Sequence, residues 1–296
     1  MAAMRSEARI ASFALALAIT LAACGRAGQA VEILHENGRV RCRGRLVDGK
    51  RDGAWTQWYA SGQLESETSW TAGKEEGESK LYDRSGALVE SGSYRAGLRE
   101  GTWTERYPGG SKRLEGPYAA GVRQGEWTAW YETGEVQSRG RFQDDQRDGE
   151  WRELYRSGVP RRLGTWKAGH MEGRWTEWYE SGGKLAEGDY AGDAQQGEWT
   201  RWREDGSVES TTPFAGGRVE GVARRWHPNG KPAFEGHYRA GHREGPSVEW
   251  FESGAKKSEG TCRDDRMEGR WTFWLETGEV DAARTGTYAR GERAGE

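Results

Sequence analysis

The sequence predicts an all-β protein: an elongated, rod-like, single-layer antiparallel sheet built from about ten tandem β-hairpin repeats. Three observations predict this fold. A 24-residue repeat recurs through most of the 296 residues. Glycine occupies two fixed positions in every repeat, and all 16 tryptophans fall at only three positions. A fixed period of this length is the signature of an architecture in which each repeat buries its apolar face only against its neighbours.

The composition favours a folded chain that does not bind nucleic acid. With 34% hydrophobic and 31% charged residues, the chain by itself resembles a disordered one. The 16 Trp, 11 Tyr and 45 Gly argue against disorder, because disordered segments are poor in aromatic side chains. The net charge is -3, and acidic and basic residues are interleaved throughout. A nucleic-acid surface, which needs clustered Lys and Arg, is therefore not expected.

Residues 1–23 have the features of a bacterial lipoprotein signal peptide. A basic N-terminal segment precedes an apolar run at residues 10–23, which is too short to cross about 30 Å of hydrocarbon comfortably. The four residues that end at Cys24, LAAC, resemble the lipobox of bacterial lipoproteins. By that resemblance, cleavage between Ala23 and Cys24 leaves an acylated cysteine at the N-terminus. We therefore expect a lipid-anchored membrane protein of the bacterial cell envelope, facing the periplasm or the cell surface.

The repeats begin close to this anchor. Residues 24–30 hold the lipidated cysteine and a short linker, 31–46 form a half repeat, 47–288 form ten complete repeats, and 289–296 begin another. The tenth repeat has two additional residues, so its closing aromatic residue is Tyr288. At two strands a repeat and about 4.8 Å a strand, ten repeats predict a rod of about 100 Å. The complete repeats begin at Val47, Thr71, Arg95, Ala119, Gln143, Lys167, Ala191, Ala215, Arg239 and Arg263.

Each repeat has the pattern of a hairpin. In the repeat at 167–190, Arg174–Tyr179 and 183–190 are the predicted strands, around a turn at Glu180-Ser181-Gly182. The glycine at position 16 is expected to close a type I turn with a positive φ. The glycine at position 7, which follows loops such as 50–52, is expected to begin the first strand from a tight bend. These structural glycines include Gly62, Gly134 and Gly182 at position 16 and Gly53, Gly101, Gly125, Gly149, Gly173 and Gly197 at position 7.

The aromatic residues follow the two faces of the sheet. Alternation places positions 9 and 13 on one face, where we expect rings such as Trp175 and Tyr179 to pack, and position 12 on the other. The glycine at position 22, as in Gly140, is expected to leave space for a neighbouring ring. Most rings are then structural, and the position-12 face is the candidate binding surface. It comprises Trp58, Trp130, Trp178, Trp202, Trp226, Trp250 and Trp274.

The pattern G-x-W-x-x-W-Y-x-x-G, followed by a Gly-aromatic pair and a D-G-K-like loop, resembles the MORN (membrane occupation and recognition nexus) repeat over residues 31–296. It is similar in particular to the bacterial variant found in the YwqK-type antitoxin family. The resemblance implies a β-hairpin scaffold for protein contacts, and lipid binding has been proposed for some such arrays. We therefore expect a non-enzymatic scaffold, tethered to the membrane through Cys24, that binds an unidentified protein partner. A module that binds glycan, cell wall or lipid headgroups by aromatic stacking is one alternative, and an antitoxin or immunity protein is another.

The polar residues do not predict a catalytic centre, a metal site or a cofactor. The position-6 residues, such as Asp52, are spaced along the array, whereas calcium needs six to eight oxygens around one point. We expect them to cap loop N–H groups and to pair with nearby arginines. His227, His237 and His242 lie in adjacent repeats without the Cys or carboxylate spacing of a zinc site. Cys42 and Cys262 are expected to be unpaired, with Cys262 a small buried apolar residue. The arginines expected to pair with position 6 are Arg51, Arg99, Arg147 and Arg243.

Overall fold

The computed structural model of the protein describes residues 28–294. The predicted signal peptide, its cleavage site between Ala23 and Cys24, and the lipidation of Cys24 lie outside these residues. Regular structure within 28–294 is entirely β, with 25 strands and no helix. Across that same range no helix is long and apolar enough to cross a membrane. The predicted all-β class is confirmed.

The chain divides into two compact units, the first up to residue 100 and the second from residue 101. In the first, the strands β1 to β6 pair antiparallel, each with the next along the chain. They are β1 (Gln29–Leu34), β2 (Val40–Val47), β3 (Lys50–Trp58), β4 (Leu64–Thr71), β5 (Lys74–Tyr82) and β6 (Leu88–Arg95), and β7 (Leu98–Arg106) begins in this unit.

The second compact unit continues the same hairpin pattern, again with antiparallel neighbours. Two first strands are each divided by an interruption at position 6, giving β9 and β10, and β18 and β19. The strands are β8 (Lys112–Ala119), β9 (Val122–Arg123), β10 (Gly125–Trp130), β11 (Val136–Gln143), β12 (Gln146–Leu154), β13 (Pro160–Lys167), β14 (His170–Trp178), β15 (Lys184–Ala191), β16 (Ala194–Trp202), β17 (Val208–Ala215), β18 (Arg218–Val219), β19 (Gly221–Trp226), β20 (Pro232–Arg239), β21 (His242–Trp250), β22 (Lys256–Arg263), β23 (Arg266–Phe273), β24 (Gly286–Ala289) and β25 (Glu292–Arg293).

The turn that closes each hairpin is the predicted one. In the repeat at 167–190, Tyr179 N donates to Gly183 O at 2.9 Å and Gly182 N donates to Tyr179 O at 3.0 Å. The register shifts by one residue between Glu177 and Trp178, so a bulge follows the turn. Gly182 has φ +93°, a backbone conformation that strains any residue with a Cβ. Gly62 and Gly134 have φ +98° and +103° in the same role.

The prediction that the position-7 glycine begins the first strand is wrong, although the strand does bend there. The strand β14 begins at His170, not Arg174, and Gly173 lies inside it with φ +66°. There the register jumps from Glu172 to Thr176, because a bulge bends the strand as it brings the position-9 ring over the neighbouring strand. The segment 50–52 likewise belongs to β3 and is not a loop. The other position-7 glycines, Gly53, Gly101, Gly125, Gly149 and Gly197, all have positive φ.

The second turn of each repeat lies at positions 2 and 3. Ala168 and Gly169 have φ +47° and +83°, so both central residues are left-handed, as in the type I′ turn of a tight hairpin. The sequence does not reveal this turn, because alanine rarely adopts positive φ. Position 2 is nevertheless Ala in five repeats with positive φ: Ala72, Ala96, Ala120, Ala168 and Ala240.

The core is a ladder of aromatic rings on one face of the sheet. In it, position-9 rings alternate with the position-24 rings of neighbouring strands in edge-to-face contacts, which aromatic pairs prefer. Trp175 meets Trp166 at 5.6 Å and Tyr190 at 6.0 Å between ring centroids. Trp175 and Tyr179 are expected along one side of the sheet, and the rings that contact Trp175 come from the two facing strands. A second run comprises Trp103, Tyr118, Trp127, Phe142 and Trp151.

The prediction that the position-22 glycine leaves space for a ring is confirmed. A Cβ built on Gly140 would lie 2.2 Å from Cδ2 of Trp151, the position-9 residue of the next repeat. Where position 9 is Ser79, position 22 carries a side chain: Thr68 faces Ser79, with their hydroxyl oxygens 3.0 Å apart. Where it is Ser247, the facing Gly236 is covered instead by the ring of Phe234. Glycine and tryptophan are therefore matched across the strands. The same contact joins Gly44 to Trp55, Gly116 to Trp127, Gly164 to Trp175, Gly188 to Trp199 and Gly260 to Trp271.

Candidate functional site

The position-9 rings are buried in the core of the sheet. Trp55 and Trp175 are each 2% exposed, and Trp127 is 3% exposed. Most of the indole N–H groups are also satisfied inside the sheet: Trp127 Nε1 donates to Pro117 O at 3.2 Å and Trp151 Nε1 to Arg141 O at 3.0 Å. These rings have no open face for a ligand, and the one described position-9 indole N–H without a partner, that of Trp175, is itself buried, so the ladder is a core and not a binding site.

The position-5 arginines cover the ladder. The guanidinium of Arg147 lies 4.4 Å from the ring centroid of Trp151 and 4.9 Å from that of Trp166. Arg51 lies in the same way over Trp55 and Trp70, at 4.5 and 4.8 Å. Burial against the rings lowers the pKa of Arg147. These arginines are thus part of the core, which their charge alone does not reveal.

The position-6 residues cap the turn of the following repeat, as predicted. Glu172 Oε2 accepts the backbone N–H of Gly192 at 3.1 Å, and Glu220 Oε2 accepts that of Ala240 at 2.6 Å. Position-6 carboxylates do pair with nearby arginines, as predicted, but Asp52 pairs with Arg45 and Glu100 with Arg95, which are not position-5 residues. Arg99 pairs with Glu90 and Arg243 with Asp265, while Arg51 and Arg147 stack on rings. Arg51 and Arg147 stack on rings because a weakly hydrated guanidinium lies flat against an indole.

The position-13 side chain connects most repeats to the next by a hydrogen bond. Tyr179 Oη donates to Trp202 O at 2.9 Å, and Tyr131 Oη donates to Leu154 O at 2.8 Å. His227 takes the same place, with Nε2 2.9 Å from Trp250 O. The histidine therefore substitutes for tyrosine. Within residues 28–294 no group of three or more His, Cys, Asp or Glu side chains is arranged to hold a metal ion.

Both described cysteines are buried and form no disulfide, as expected. Cys262, at position 24, is 2% exposed and packs with Trp271, Phe273 and Tyr288. Burial raises the pKa of each thiol, so both stay protonated at neutral pH. The described thiols are thus parts of the core.

The position-12 tryptophans differ from the core rings, because all seven are only half-buried. Trp58 lies in the first compact unit and the other six lie in the second. In the second unit each pairs across its hairpin with a position-18 residue that is exposed except at the half-buried Val136, as Trp202 does with Val208 and Trp226 with Pro232. We call this surface the tryptophan stripe. It comprises Trp130, Val136, Leu154, Pro160, Trp178, Lys184, Trp202, Val208, Trp226, Pro232, Trp250, Lys256, Trp274 and Val280.

The indole N–H groups of the stripe are open. None of the six donates a hydrogen bond to any residue in 28–294, and none is sealed from solvent. The position-9 indoles of Trp127 and Trp151, by contrast, donate to backbone carbonyls. The stripe therefore combines apolar ring surface with free donors, which is a combination that a binding surface uses.

Lysine recurs beside the tryptophans of the stripe at every third repeat. Lys112, Lys184 and Lys256 lie over the rings of Trp130, Trp202 and Trp274, with Nζ 5.5, 5.5 and 5.9 Å from the centroids. Each lysine is also paired with the glutamate three residues later. The hydrogen bond from Lys184 holds the pKa of Glu187 below its ordinary value, so the pair is ionised at neutral pH. These cations are already neutralised within the sheet.

The hairpin turns beside the stripe are acidic. In the second compact unit, positions 13–17 carry eight carboxylates and three cations, Arg156, Arg203 and Lys231. All eight carboxylates are exposed, and none forms an ion pair with another described residue. A hydrogen bond from Ser207 holds the pKa of Asp205 below its ordinary value. We call this set the acidic rim: Glu132, Glu135, Glu180, Glu204, Asp205, Glu252, Glu276 and Glu279.

Comparison with known proteins agrees with the hairpin repeats. Residues 51–71, 123–144 and 219–240 each match the MORN repeat variant. Each segment spans one hairpin, as the segment 51–71 spans β3 and β4. MORN repeats form a generally non-enzymatic scaffold that typically serves protein or membrane interaction. The three segments therefore support a repeat scaffold.

Solved structures with some similarity contain much longer chains. A crystal structure of TcdB2-TccC3-Cdc42 matches 84% of this chain at 12% identity with a TM-score of 0.18. A Tc holotoxin pore of Photorhabdus luminescens, carrying a mutation in TccC3, matches 84% at 13% identity with a TM-score of 0.19. This chain spans only 16% of either of those chains. No curated protein matches the sequence.

Proposed function

We propose that the protein is a non-enzymatic repeat scaffold, anchored in a membrane of the bacterial cell envelope, that binds a protein partner through the tryptophan stripe. The stripe is the observation that carries this proposal. It leaves six half-buried indoles with free donors on the surface, together with exposed Val208 and Val280. Contiguous apolar surface of this kind marks interaction sites, and tryptophan is enriched among the residues that dominate protein interfaces.

The anchoring part of the proposal is supported by the sequence of residues 1–24. Because β1 begins at Gln29, an acylated Cys24 would hold the first hairpin next to the bilayer. Several acyl chains on one cysteine bind a membrane stably, since each buried CH₂ contributes about 0.8 kcal/mol. A tethered scaffold with a long surface of repeated sites then presents that surface to partners near the membrane.

The test is a pull-down with matched variants of the chain from residue 25 onward. The wild-type chain should recover one protein at a stoichiometric level, and the double variant Trp202→Ser/Trp226→Ser should lose it. The control is Arg218→Gln/Arg239→Gln, which changes the opposite turns and should still recover the protein. Equal recovery by the tryptophan variant would contradict binding through the stripe.

A second candidate function uses the same surface for glycan or lipid headgroups. Half-exposed indoles at regular intervals are able to stack on sugar rings or to sit at a membrane interface. Retention of the same soluble chain on purified cell wall or on lipid vesicles, lost in Trp202→Ser/Trp226→Ser, would favour this function over protein binding. Retention on neither, with a stoichiometric protein recovered, favours the scaffold.

A further inference from the structure

We infer that the tryptophan stripe and the acidic rim together form a docking surface for a proline-rich, basic segment in the polyproline II conformation. This inference rests on the proposed function, because it names the class of partner that the same surface takes. It depends on three properties of the second compact unit: the spacing of the rings, the free indole donors and the charge of the adjacent turns.

The ring spacing matches a polyproline II helix. Position-12 residues of successive repeats lie two strands apart, or about 9.6 Å. A polyproline II helix has three residues per turn and rises about 9.3 Å in one turn, so every third residue presents the same side to the next ring. In an extended strand, three residues also span about 10 Å, but side chains three apart point to opposite faces. The spacing therefore favours polyproline II over an added β-strand.

The free indole donors separate polyproline II from an α-helix. Seven residues of an α-helix rise about 10.5 Å and would also reach from one ring to the next. The carbonyls inside an α-helix are, however, already bonded to N–H groups four residues later. A polyproline II backbone has no internal hydrogen bonds, so its carbonyls are available to Nε1 of rings such as Trp178, Trp226 and Trp250. Aromatic-lined grooves recognise such segments in this way.

The charge of the turns selects a basic segment. The nearest carboxylates of the acidic rim, at position 14, lie two residues after the position-12 ring, so they lie in the turn beside the rings. The opposite turns of the second unit, at positions 1–4, carry six carboxylates and six cations and are balanced. Negative charge is thus concentrated on the side of the sheet where the stripe lies. Lys or Arg side chains of a docked segment would meet carboxylates that form no ion pair within the described chain.

The strongest positions for a proline are the rings that no lysine covers. In the described chain, Trp178, Trp226 and Trp250 have no cation over the indole, whereas Trp202 has Lys184. Trp226 and Trp250 belong to successive repeats and flank Pro232. They are the pair to change in a test, because their loss removes two adjacent contacts without touching the position-9 ladder.

The test measures the binding of a synthetic peptide of six Lys-Pro-Pro triplets to the purified full chain by calorimetry. Two control peptides separate the contributions: six Lys-Ala-Ala triplets keep the charge but favour a helix, and six Glu-Pro-Pro triplets keep the conformation but reverse the charge. We expect saturable binding of the Lys-Pro-Pro peptide only. The Kd should rise at least ten-fold in Trp226→Leu/Trp250→Leu and several-fold in Glu204→Gln/Glu252→Gln. It should stay unchanged in Asp264→Asn/Asp144→Asn on the opposite turns.

Trp226→Phe/Trp250→Phe keeps an aromatic ring at both positions and removes both indole N–H donors, so an intermediate Kd is expected. Near-ultraviolet circular dichroism should show that each variant keeps the folded ladder. Equal binding of the Lys-Ala-Ala peptide, or an unchanged Kd in Trp226→Leu/Trp250→Leu, would overturn the inference, and so would the absence of binding. If the peptide fails while a pulled-down protein still depends on Trp202 and Trp226, the inference fails and the proposed function stands.

Discussion

At the scale of the residue, the fold depends on a match between glycine and tryptophan on facing strands. Gly140 lies under the ring of Trp151, and the pair Thr68 and Ser79 shows what the chain uses where no ring is present. Burying a large apolar side chain contributes about 1.5–3 kcal/mol. An edge-to-face ring contact adds about 0.5–1.5 kcal/mol. Each matched pair is therefore a principal source of stability for its hairpin.

Gly140→Thr should destabilise the protein by about 1–3 kcal/mol, because the new side chain overlaps the ring of Trp151. Trp151→Ser alone should cost about 3–5 kcal/mol through the lost ring. The double variant should lose at least about 1 kcal/mol less stability than the sum of the two single losses, since threonine then faces serine as in the natural pair. Urea denaturation measures all three free energies of unfolding. Strict additivity would show that the two positions do not interact.

Tyr179→Phe should lower the free energy of unfolding by about 1 kcal/mol, because the carbonyl of Trp202 loses its donor. The chain provides a matched control, since position 13 of the ninth repeat is already phenylalanine, Phe251. Phe251→Tyr should leave stability unchanged or raise it. Thermal unfolding of both variants checks this, and equal melting temperatures for wild type and Tyr179→Phe would count against the tie between repeats.

Cys24→Ser should move the protein from the membrane fraction to the soluble fraction, because the acylated thiol is the expected anchor. Fractionation of cells followed by immunoblotting measures the change. Cys42→Ser is the control and should leave the protein in the membrane fraction. Unchanged membrane association of the Cys24→Ser variant would contradict the predicted lipid anchor.

At the scale of the element, the hairpin is well predicted and its connections are less so. The position-16 glycine, with φ +93° in Gly182, follows from turn chemistry. The turn at Ala168 and Gly169 does not, because positive φ at alanine is held by the strands around it and not by the residue itself. The ring pairing was also missed: a period fixes positions along the chain, but not which positions face one another across strands.

Ala168→Asn should stabilise the protein by about 0.5–1 kcal/mol, since asparagine tolerates the left-handed conformation that alanine holds at φ +47°. Ala60→Asn, in the other turn of a repeat where φ is not positive, is the control and should give no gain. Chemical denaturation measures both. A loss of stability in Ala168→Asn would mean that the turn does not have the described conformation.

At the scale of the whole molecule, the repeats within each compact unit form a series in which each hairpin contacts its neighbours along the chain. The tryptophan stripe is a result of this pairing, because a tryptophan that recurs at position 12 forms a row on the sheet once the hairpins pair. The sequence therefore predicts the position-12 face. It does not predict which rings stay open, since the free donors and the unpaired carboxylates depend on contacts between repeats.

The central claim is that the 24-residue hairpin is the structural unit of the fold. The measurement is thermal unfolding, followed by near-ultraviolet circular dichroism, of two deletions within the second compact unit. Removal of residues 143–166, one complete repeat, joins Phe142 to Lys167 in register. We expect this variant to unfold cooperatively and to keep its aromatic signal. Removal of 143–154, half a repeat, deletes β12 with Trp151, the ring that covers Gly140, and should abolish both. Equal behaviour of the two deletions would contradict the repeat as the unit of the fold.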